Sequence, residues 1–227
     1  MLYSIDNHND EVLSSRMNEE SQIESASAAR RRQIIDAAYD LLDRAGLEGL
    51  TIRAVLAETG LARRAFYECF AGKDDLVLAV FALTIKLAAE HFHAQVQGVA
   101  NPMERLRRIV TAIALGRSSI DAMPGPSRRG AAMSREHLRL AESRPGDLQA
   151  ALRPLIEVIA RQLSDGMAAG VMRSAEPARL AAFVYNLVST TVHAELLAQE
   201  EAATPDYAHN ARLAEEIWEF CRRAIAA

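Results

Sequence analysis

Residues 50–76 constrain the fold more than any other stretch, because they describe two short helices joined by a glycine turn. Thr51 is an N-cap residue, whose hydroxyl can accept from the free amides of the first helical turn. Leu50 and Val55 stand at the positions of a hydrophobic staple around that cap. Gly60 follows where a helix ends with a residue at positive φ. Helices this short do not persist alone in water, so they must pack on other elements.

The second short helix carries two adjacent arginines, Arg63 and Arg64, in its first turn. A packed helix pair with a tight turn and a basic second helix is what recognition of the DNA major groove requires. An arginine can bind O6 and N7 of guanine through two hydrogen bonds. Adjacent side chains on a helix point about 100° apart, so we predict that one arginine reads a base and the other a phosphate, without assigning which.

The same stretch resembles the DNA-binding domain of TetR-family transcriptional regulators. In that family a threonine opens helix 2, a glycine ends it, and helix 3 ends in a Tyr-x-x-Phe element that a lysine follows three residues later. The matching positions here are Thr51, Gly60, Tyr67, Phe70 and Lys73, with Leu76 after them. The resemblance covers about fifty residues, helix 1 included, and needs no gap.

Two alanines depart from the family pattern. Ala62 and Ala65 stand where the family usually has Ser or Thr as a helix cap and often Thr as a phosphate contact. The recognition helix therefore lacks a side-chain cap, at a cost of about 1 kcal/mol. We expect its phosphate contacts to depend more on the neighbouring arginines, tyrosine and lysine. The predicted DNA-contacting residues are Arg30, Arg31, Thr51, Arg53, Arg63, Arg64, Tyr67 and Lys73.

The net charge of −4 conceals an uneven distribution along the chain. Residues 1–29 carry one arginine against six acids, whereas residues 30–73 carry eight basic groups against six acidic ones. DNA affinity needs a local basic surface rather than a basic protein. The basic excess therefore fits the predicted DNA-binding region. Arginines that merely solvate a helix face are the alternative interpretation of the run at 30–32.

Composition favours helices over strands, since 50% of the 227 residues are hydrophobic, only 5% are aromatic, and Ala and Leu dominate. We predict an all-α fold of about nine helices. The predicted organisation is a disordered N-terminal arm at 1–28, a three-helix helix-turn-helix domain at 29–72 and a helical effector-binding and dimerisation domain at 73–227. This number and order of helices also matches the TetR family.

Glycine and proline mark the predicted helix ends. Helix 1, which begins at residue 29 or 30, should end at Gly46. Asn101 and Pro102, followed by an acid at N3, predict a capped helix start. Pro154 lies inside a helical segment, so a helix either begins near it or is kinked there. Further breaks are expected at 123–126, 144–147, 170–177 and 204–205.

The last two helices, at about 177–201 and 206–226, carry broad apolar faces. In TetR-family regulators the equivalent pair forms a four-helix interface with its symmetry mate, so the resemblance implies a homodimer. An entirely intramolecular core is the alternative interpretation of both faces. The predicted interface residues are Leu180, Val184, Leu187, Thr191, Leu213, Ile217, Phe220 and Ala224.

The resemblance also implies a small-molecule effector, of unknown identity, bound among helices 4 to 8. The candidate lining residues are His91, Met123, Met133, His137, Met167, Tyr185, Asn186, Thr190 and His193. Each also has a plainer interpretation, since methionines fill gaps in cores and a single histidine on an apolar face is usually hydrogen-bonded. The scarcity of aromatic residues argues against a flat site lined by many rings.

Other kinds of site have little support in the sequence. Cys69 and Cys221 have no partner at metal-ligand spacing, and His91 and His93 point to different faces of a helix, so no metal or cofactor is predicted. The chain contains no glycine-rich phosphate loop, serine elbow or Cys-His signature. With no apolar stretch of about 18 residues and no signal peptide, we expect a reduced, cytoplasmic location and no membrane partner.

We therefore predict a ligand-released repressor that acts as a homodimer on a pseudo-palindromic DNA operator. A second hypothesis keeps the DNA-binding domain but makes the helical body a protein-interaction module without an effector. An α-helical enzyme is a remote third.

Overall fold

The computed structural model describes residues 6–116, 128–199 and 207–227. Over these residues the chain forms nine helices, which confirms the predicted all-α fold. Their bounds are α1 Asp6–Gly49, α2 Ile52–Thr59, α3 Arg63–Cys69, α4 Lys73–Val96, α5 Pro102–Ala114, α6 Arg128–Ser143, α7 Pro145–Ala168, α8 Pro177–Gln199 and α9 Tyr207–Ile225. The breaks expected at 123–126 and 204–205 lie outside the described residues.

The chain divides into two compact units, Met1–Val80 and Phe81–Ala227. The first contains α1, α2, α3 and the beginning of α4, and the second contains the remaining helices. The boundary between the units therefore falls inside a helix rather than in a linker. The functional division at residue 72 stays a prediction.

The core of the first unit is built from one face of α1 and the inner faces of α2 and α3. Ile34, Ala38 and Leu42 recur at helical spacing along α1, and all three are fully buried. Val55 of α2 and Phe66 of α3 are buried with them. Burial of each large apolar side chain contributes about 1.5–3 kcal/mol, which offsets the weak intrinsic stability of the two short helices.

Both ends of α2 and the start of α3 have the predicted geometry. The Thr51 hydroxyl accepts from the Ala54 amide at 3.1 Å, so α2 begins with a side-chain cap. Gly60 ends α2 at φ 67°, and its N–H donates to the Leu56 carbonyl at 3.0 Å. Ala62 precedes α3 without a side-chain hydrogen bond, as the sequence predicts.

The start of α1 differs from the sequence prediction. A disordered arm is expected over residues 1–28, whereas the helix begins at Asp6. This stretch is polar but contains good helix formers, and extending a helix that is already nucleated costs little per residue. Near its other end, the helical conformation is interrupted at Gly46, with φ 66° and ψ −169°, where the sequence predicts that helix 1 ends.

In the second unit, α7 packs against α5, α6 and α8, and α5 also packs against α8 and α9. The Asn101 side chain caps α5 by accepting from the amides of Met103 and Glu104, at 2.9 and 3.4 Å. Pro154 lies inside the continuous helix α7, so no helix begins there. Of the two cysteines, Cys69 at the end of α3 is half-buried, whereas Cys221 of α9 is buried.

By length and composition alone, α4 is apolar enough to cross a membrane. The core helices of globular proteins meet the same criterion, so the observation is weak evidence for a membrane segment. Phe81, Ala88 and Phe92 of α4 are each at most 2% exposed, which is the pattern of a core helix.

Candidate nucleic-acid interface and effector site

The helix α3 buries one face and exposes the other. Phe66 and Phe70 point inward, with their ring centroids 5.6 Å apart. Arg63, Arg64 and Tyr67 are exposed, and the Arg64 side chain retains 90% of its accessible surface. The residues predicted to meet DNA are therefore those that the fold leaves outside its core.

Arg63 and Tyr67 form a pair one turn apart on α3. The Arg63 Nη2 atom donates to the Tyr67 hydroxyl at 3.3 Å, and the guanidinium carbon lies 5.6 Å from the ring centroid. This hydrogen bond raises the pKa of Arg63 above its ordinary value. Arginine is cationic in proteins even without such a shift. The pair presents a positive charge and a phenol side by side.

Glu68 accepts from one arginine of its own helix and from one arginine of α1, so it links α3 to α1. Its Oε1 accepts from Arg64 Nε and its Oε2 from Arg30 Nη1, each at 3.0 Å. The sequence analysis did not single out this residue. The spacing of four between Arg64 and Glu68 was the available signal, because residues so spaced are neighbours on a helix.

Arg31 also reaches from α1 to the end of α3. Its guanidinium lies 4.3 Å from the centroid of the Phe70 ring, and its Nη1 donates to the Cys69 carbonyl at 2.8 Å. The side chain satisfies a carbonyl that the helix end leaves without an intrahelical partner. The exposed arginine therefore also helps to hold α1 against α3.

The remaining predicted DNA contacts lie around the start of α2 and α4. Thr51 and Arg53 are exposed, and Lys73 Nζ donates to the Leu47 carbonyl at 3.1 Å. Of the eight residues predicted to contact DNA, seven are exposed and Arg30 is half-buried. All eight belong to the first unit. Their contact with DNA stays a prediction.

In the second unit, α6 and α8 bring together three of the predicted effector residues. Tyr185 Oη lies 3.2 Å from His137 Nδ1, and the two ring centroids are 5.7 Å apart. His193 Nδ1 lies 2.8 Å from Ser134 Oγ. The Phe81 ring closes one side, with its centroid 6.3 Å from that of His137. We call these five residues the α6–α8 cluster.

Burial favours the uncharged forms of His137 and Tyr185 in this cluster. Burial, and then the charge of His193, lower the pKa of His137, so its imidazole is held neutral. Burial also raises the pKa of Tyr185, which keeps the phenol protonated. The cluster therefore offers uncharged hydrogen-bonding groups beside an aromatic ring. Ser134 and Phe81 were not among the residues predicted from the sequence, although Ser134 lies one turn before His137 on α6.

The other predicted effector residues have diverse environments. Met133 is buried in the core, and His91 and Met167 are half-buried, with the His91 ring beside Phe92 of its own helix. Asn186 and Thr190 are exposed on α8. Met123 lies outside the described residues. Side-chain contacts in the α6–α8 cluster thus include three of the predicted residues, His137, Tyr185 and His193.

The predicted dimer residues divide between the core and the surface of the single chain. Leu180, Val184 and Ile217 are each at most 7% exposed and pack inside this chain, so their place in a dimer interface stays a prediction. Leu187, Thr191 and Leu213 are half-buried, and Phe220 and Ala224 are exposed. Phe183, which lies on the apolar face of α8 but outside the predicted interface set, is 57% exposed beneath the Arg179 guanidinium, and Phe220 is 64% exposed.

Comparison with known proteins bears first on the N-terminal region. Residues 34–80 match the family model of bacterial regulatory proteins, tetR family. The chain is 28% identical over 81 residues to the HTH-type transcriptional regulator BetI of Brucella anthropi, covering 36% of this chain and 42% of the relative. It is 30% identical over 83 residues to the regulator HbdR of Aromatoleum sp., covering 37% of this chain and 36% of the relative. These matches span about two fifths of the relatives' length.

Solved structures extend the likeness to the whole fold. A TetR-family transcriptional regulator from Pectobacterium atrosepticum has a TM-score of 0.69 and 18% identity, covering 89% of this chain and 97% of that one. RolR in complex with resorcinol has a TM-score of 0.68 and 14% identity, covering 89% and 90%. A regulator from Saccharomonospora viridis in complex with choline has a TM-score of 0.62 and 20% identity, covering 88% and 99%.

Proposed function

We propose, from the premise that this chain belongs to the TetR family of bacterial transcriptional regulators, that it is a ligand-released repressor. It acts in the cytoplasm as a homodimer on a pseudo-palindromic DNA operator. The DNA-binding part of this proposal depends on one observation, which is the exposed face of α3. It displays Arg63, Arg64 and Tyr67 while Phe66 anchors the helix in the core.

In this proposal α3 enters the major groove, where one of Arg63 and Arg64 reads a base edge. Phosphate contacts come from the other arginine and from the groups around it. Those groups are Arg30, Arg31, Thr51, Arg53, Tyr67 and Lys73. Contacts to phosphate fix the register of the protein on the duplex, and contacts to bases supply the specificity.

The homodimer is proposed to form through α8 and α9. Phe183 and Phe220 are large aromatic side chains that remain more than half exposed on these two helices. Large exposed aromatic side chains are typical of interfaces between proteins. A two-fold dimer would place two recognition helices in successive major grooves, about 34–36 Å apart.

The effector is proposed to bind at the α6–α8 cluster. His137 and Tyr185 offer neutral hydrogen-bonding groups, and Phe81 offers an apolar ring, which together suit a small ligand with at least one polar group. The complexes of RolR with resorcinol and of the Saccharomonospora viridis regulator with choline support the proposal that this fold houses small ligands. An effector that prefers the free protein must weaken DNA binding by the same factor.

The decisive experiment is selection of bound duplexes from a random pool, followed by measurement of affinity against salt concentration. We expect an inverted repeat to be enriched, and affinity to fall steeply with salt because phosphate contacts dominate. A pool without an enriched sequence would refute the proposal. Repeating the binding assay with a metabolite panel tests the effector. If no compound changes DNA affinity and a protein copurifies with the helical body, the protein-interaction hypothesis replaces the proposed effector site.

A further inference from the structure

Glu68 is the one acidic residue of α3, and each of its carboxylate oxygens accepts from a different arginine. Arg64 lies one turn earlier on the same helix, whereas Arg30 belongs to α1, 38 residues earlier in the chain. Both donor–acceptor distances are 3.0 Å. The carboxylate therefore stands where two cations of the candidate DNA-binding surface converge.

This arrangement imitates a phosphate contact. A carboxylate that accepts from guanidinium groups satisfies the same donors, through the same charge-assisted hydrogen bonds, as a phosphate of DNA. In the free protein, Arg30 and Arg64 are thus already bonded to an anion on the same surface. To give these donors to a duplex, the protein must first release Glu68 and leave its negative charge beside the phosphates.

The two ion pairs of Glu68 are weak enough to be replaced by contacts with phosphates. The side chains of Glu68, Arg64 and Arg30 are 45%, 90% and 34% exposed. An exposed ion pair contributes at most about 1 kcal/mol. Glu68 therefore opposes DNA binding without preventing it.

We propose that Glu68 limits the DNA affinity of this protein by competing with phosphates for Arg30 and Arg64. This inference rests on the proposed DNA-binding function, takes Arg64 as the arginine of α3 that contacts phosphate and Arg63 as the one that reads a base, and adds a residue that acts against binding. Because the competition is with phosphates, its effect is independent of DNA sequence. Glu68 lowers affinity for operator and non-operator duplexes alike and leaves their ratio unchanged.

The test compares the unchanged protein with Glu68→Gln on two duplexes, the selected operator and a scrambled sequence of equal length. Glutamine keeps the shape of the side chain and removes its charge. We expect the dissociation constants on both duplexes to fall by a similar factor, about three- to tenfold, as two exposed ion pairs are relieved. Glu68→Ala should act in the same direction, which excludes an effect of the new amide.

Glu58→Gln is the matched control. Glu58 of α2 belongs to the same unit, its side chain is 42% exposed, and it pairs with Arg44 at 2.9 Å. Removing this charge leaves Arg30 and Arg64 in place, so it should change affinity much less than Glu68→Gln. An equal gain in DNA affinity from both variants would show that the effect comes from net charge alone, and would overturn the proposal.

A double-mutant cycle with Arg30→Gln tests whether Glu68 acts through this arginine. If Glu68 acts by holding arginines, the gain from Glu68→Gln becomes smaller once Arg30 is neutral. An unchanged gain would overturn the competition mechanism, and so would weaker operator binding by Glu68→Gln, which would make Glu68 a base-reading residue.

The inference and the proposed function fail in different ways. Equal dissociation constants for the unchanged protein and Glu68→Gln, on both duplexes, would overturn the inference and leave DNA binding intact. Failure of the unchanged protein to bind any duplex would overturn both.

Discussion

Arg63 lies over the ring of Tyr67, with its guanidinium carbon 5.6 Å from the ring centroid and Nη2 3.3 Å from the phenolic oxygen. Both side chains are exposed on α3. A cation–π contact at an exposed site contributes only about 0.5–1 kcal/mol. The contact therefore orders the arginine on α3 and is weak enough to be exchanged for a contact with a partner.

Replacing both arginines of α3 should abolish specific DNA binding and leave the fold intact. Each arginine that reads a guanine is worth about 1–3 kcal/mol of discrimination, and neither side chain is part of the core. Fluorescence anisotropy with the selected operator would measure binding of Arg63→Ala/Arg64→Ala, and circular dichroism would measure its fold. The control is Arg153→Ala/Arg161→Ala, since both residues are exposed on α7. Operator affinity that survives the α3 change would remove both arginines from the interface.

The two helix starts in the turn region should respond oppositely to a change of cap. Thr51→Ala removes the hydroxyl that accepts from Ala54, and we expect it to lower the free energy of unfolding by about 1 kcal/mol. Ala62→Ser supplies a cap that α3 lacks, and should raise it by about 0.5–1 kcal/mol. Urea denaturation measures both. Identical unfolding midpoints for the two variants would show that the caps do not control stability.

Charges at the exposed Phe183 of α8 and Phe220 of α9 should separate the proposed dimer. Phe183→Asp/Phe220→Asp places two carboxylates where the proposal puts an apolar interface, so the desolvation cost opposes association. Light scattering coupled to size-exclusion chromatography should give the mass of a monomer. Leu138→Asp is the control, because this residue is 40% exposed but lies on α6. A variant that keeps twice the monomer mass would place the interface elsewhere.

Acidification should destabilise the protein through His137. Burial, and then His193, lower its pKa in the folded state, whereas an unfolded histidine titrates near a pKa of about 6.5. The unfolded chain therefore binds a proton at a pH where the folded one does not. The resulting stability is present above that pH and is lost as the pH falls toward the folded value. The free energy of unfolding should decrease from pH 7 to 5, and His137→Asn should flatten that slope more than His93→Asn.

Two glycines of α7 provide a matched test of packing. A Cβ at Gly166 would overlap the buried Met172 side chain, so Gly166→Ala should lower the free energy of unfolding by about 1–3 kcal/mol. Gly146, in the first turn, has open space around the same position, and its replacement by alanine should be neutral or stabilising by up to about 1 kcal/mol. Thermal denaturation would rank the variants. The reverse order would contradict the packing of Met172 on α7.

Features set by neighbouring residues were predictable from the sequence. The Thr51 cap, the end of α2 at Gly60 and the cap of α5 at Asn101 each depend on a few consecutive residues. The exposed face of α3 could also be predicted, because adjacent residues such as Phe66 and Tyr67 point in different directions on a helix. The extension of α1 toward Asp6 was not, since polar residues with good helix propensity carry no apolar period to detect.

Contacts between distant helices could not be predicted in this way. The Arg30–Glu68 pair joins residues 38 apart, and the His137–Tyr185 contact joins residues 48 apart. The sequence placed His137 and Tyr185 in one candidate set but could not pair them. On α8 and α9 the apolar faces are broad, so periodicity alone did not separate Val184, which packs inside, from Phe183, which remains exposed.

The unequal accessibility of the two cysteines offers a labelling site without mutagenesis. Cys221 is 2% exposed, and burial raises the pKa of its thiol to about 11, which suppresses the reactive thiolate. Cys69 is half-buried at the last residue of α3. A maleimide dye should therefore attach to Cys69 first and report, by its emission, when this end of the helix comes near a nucleic acid.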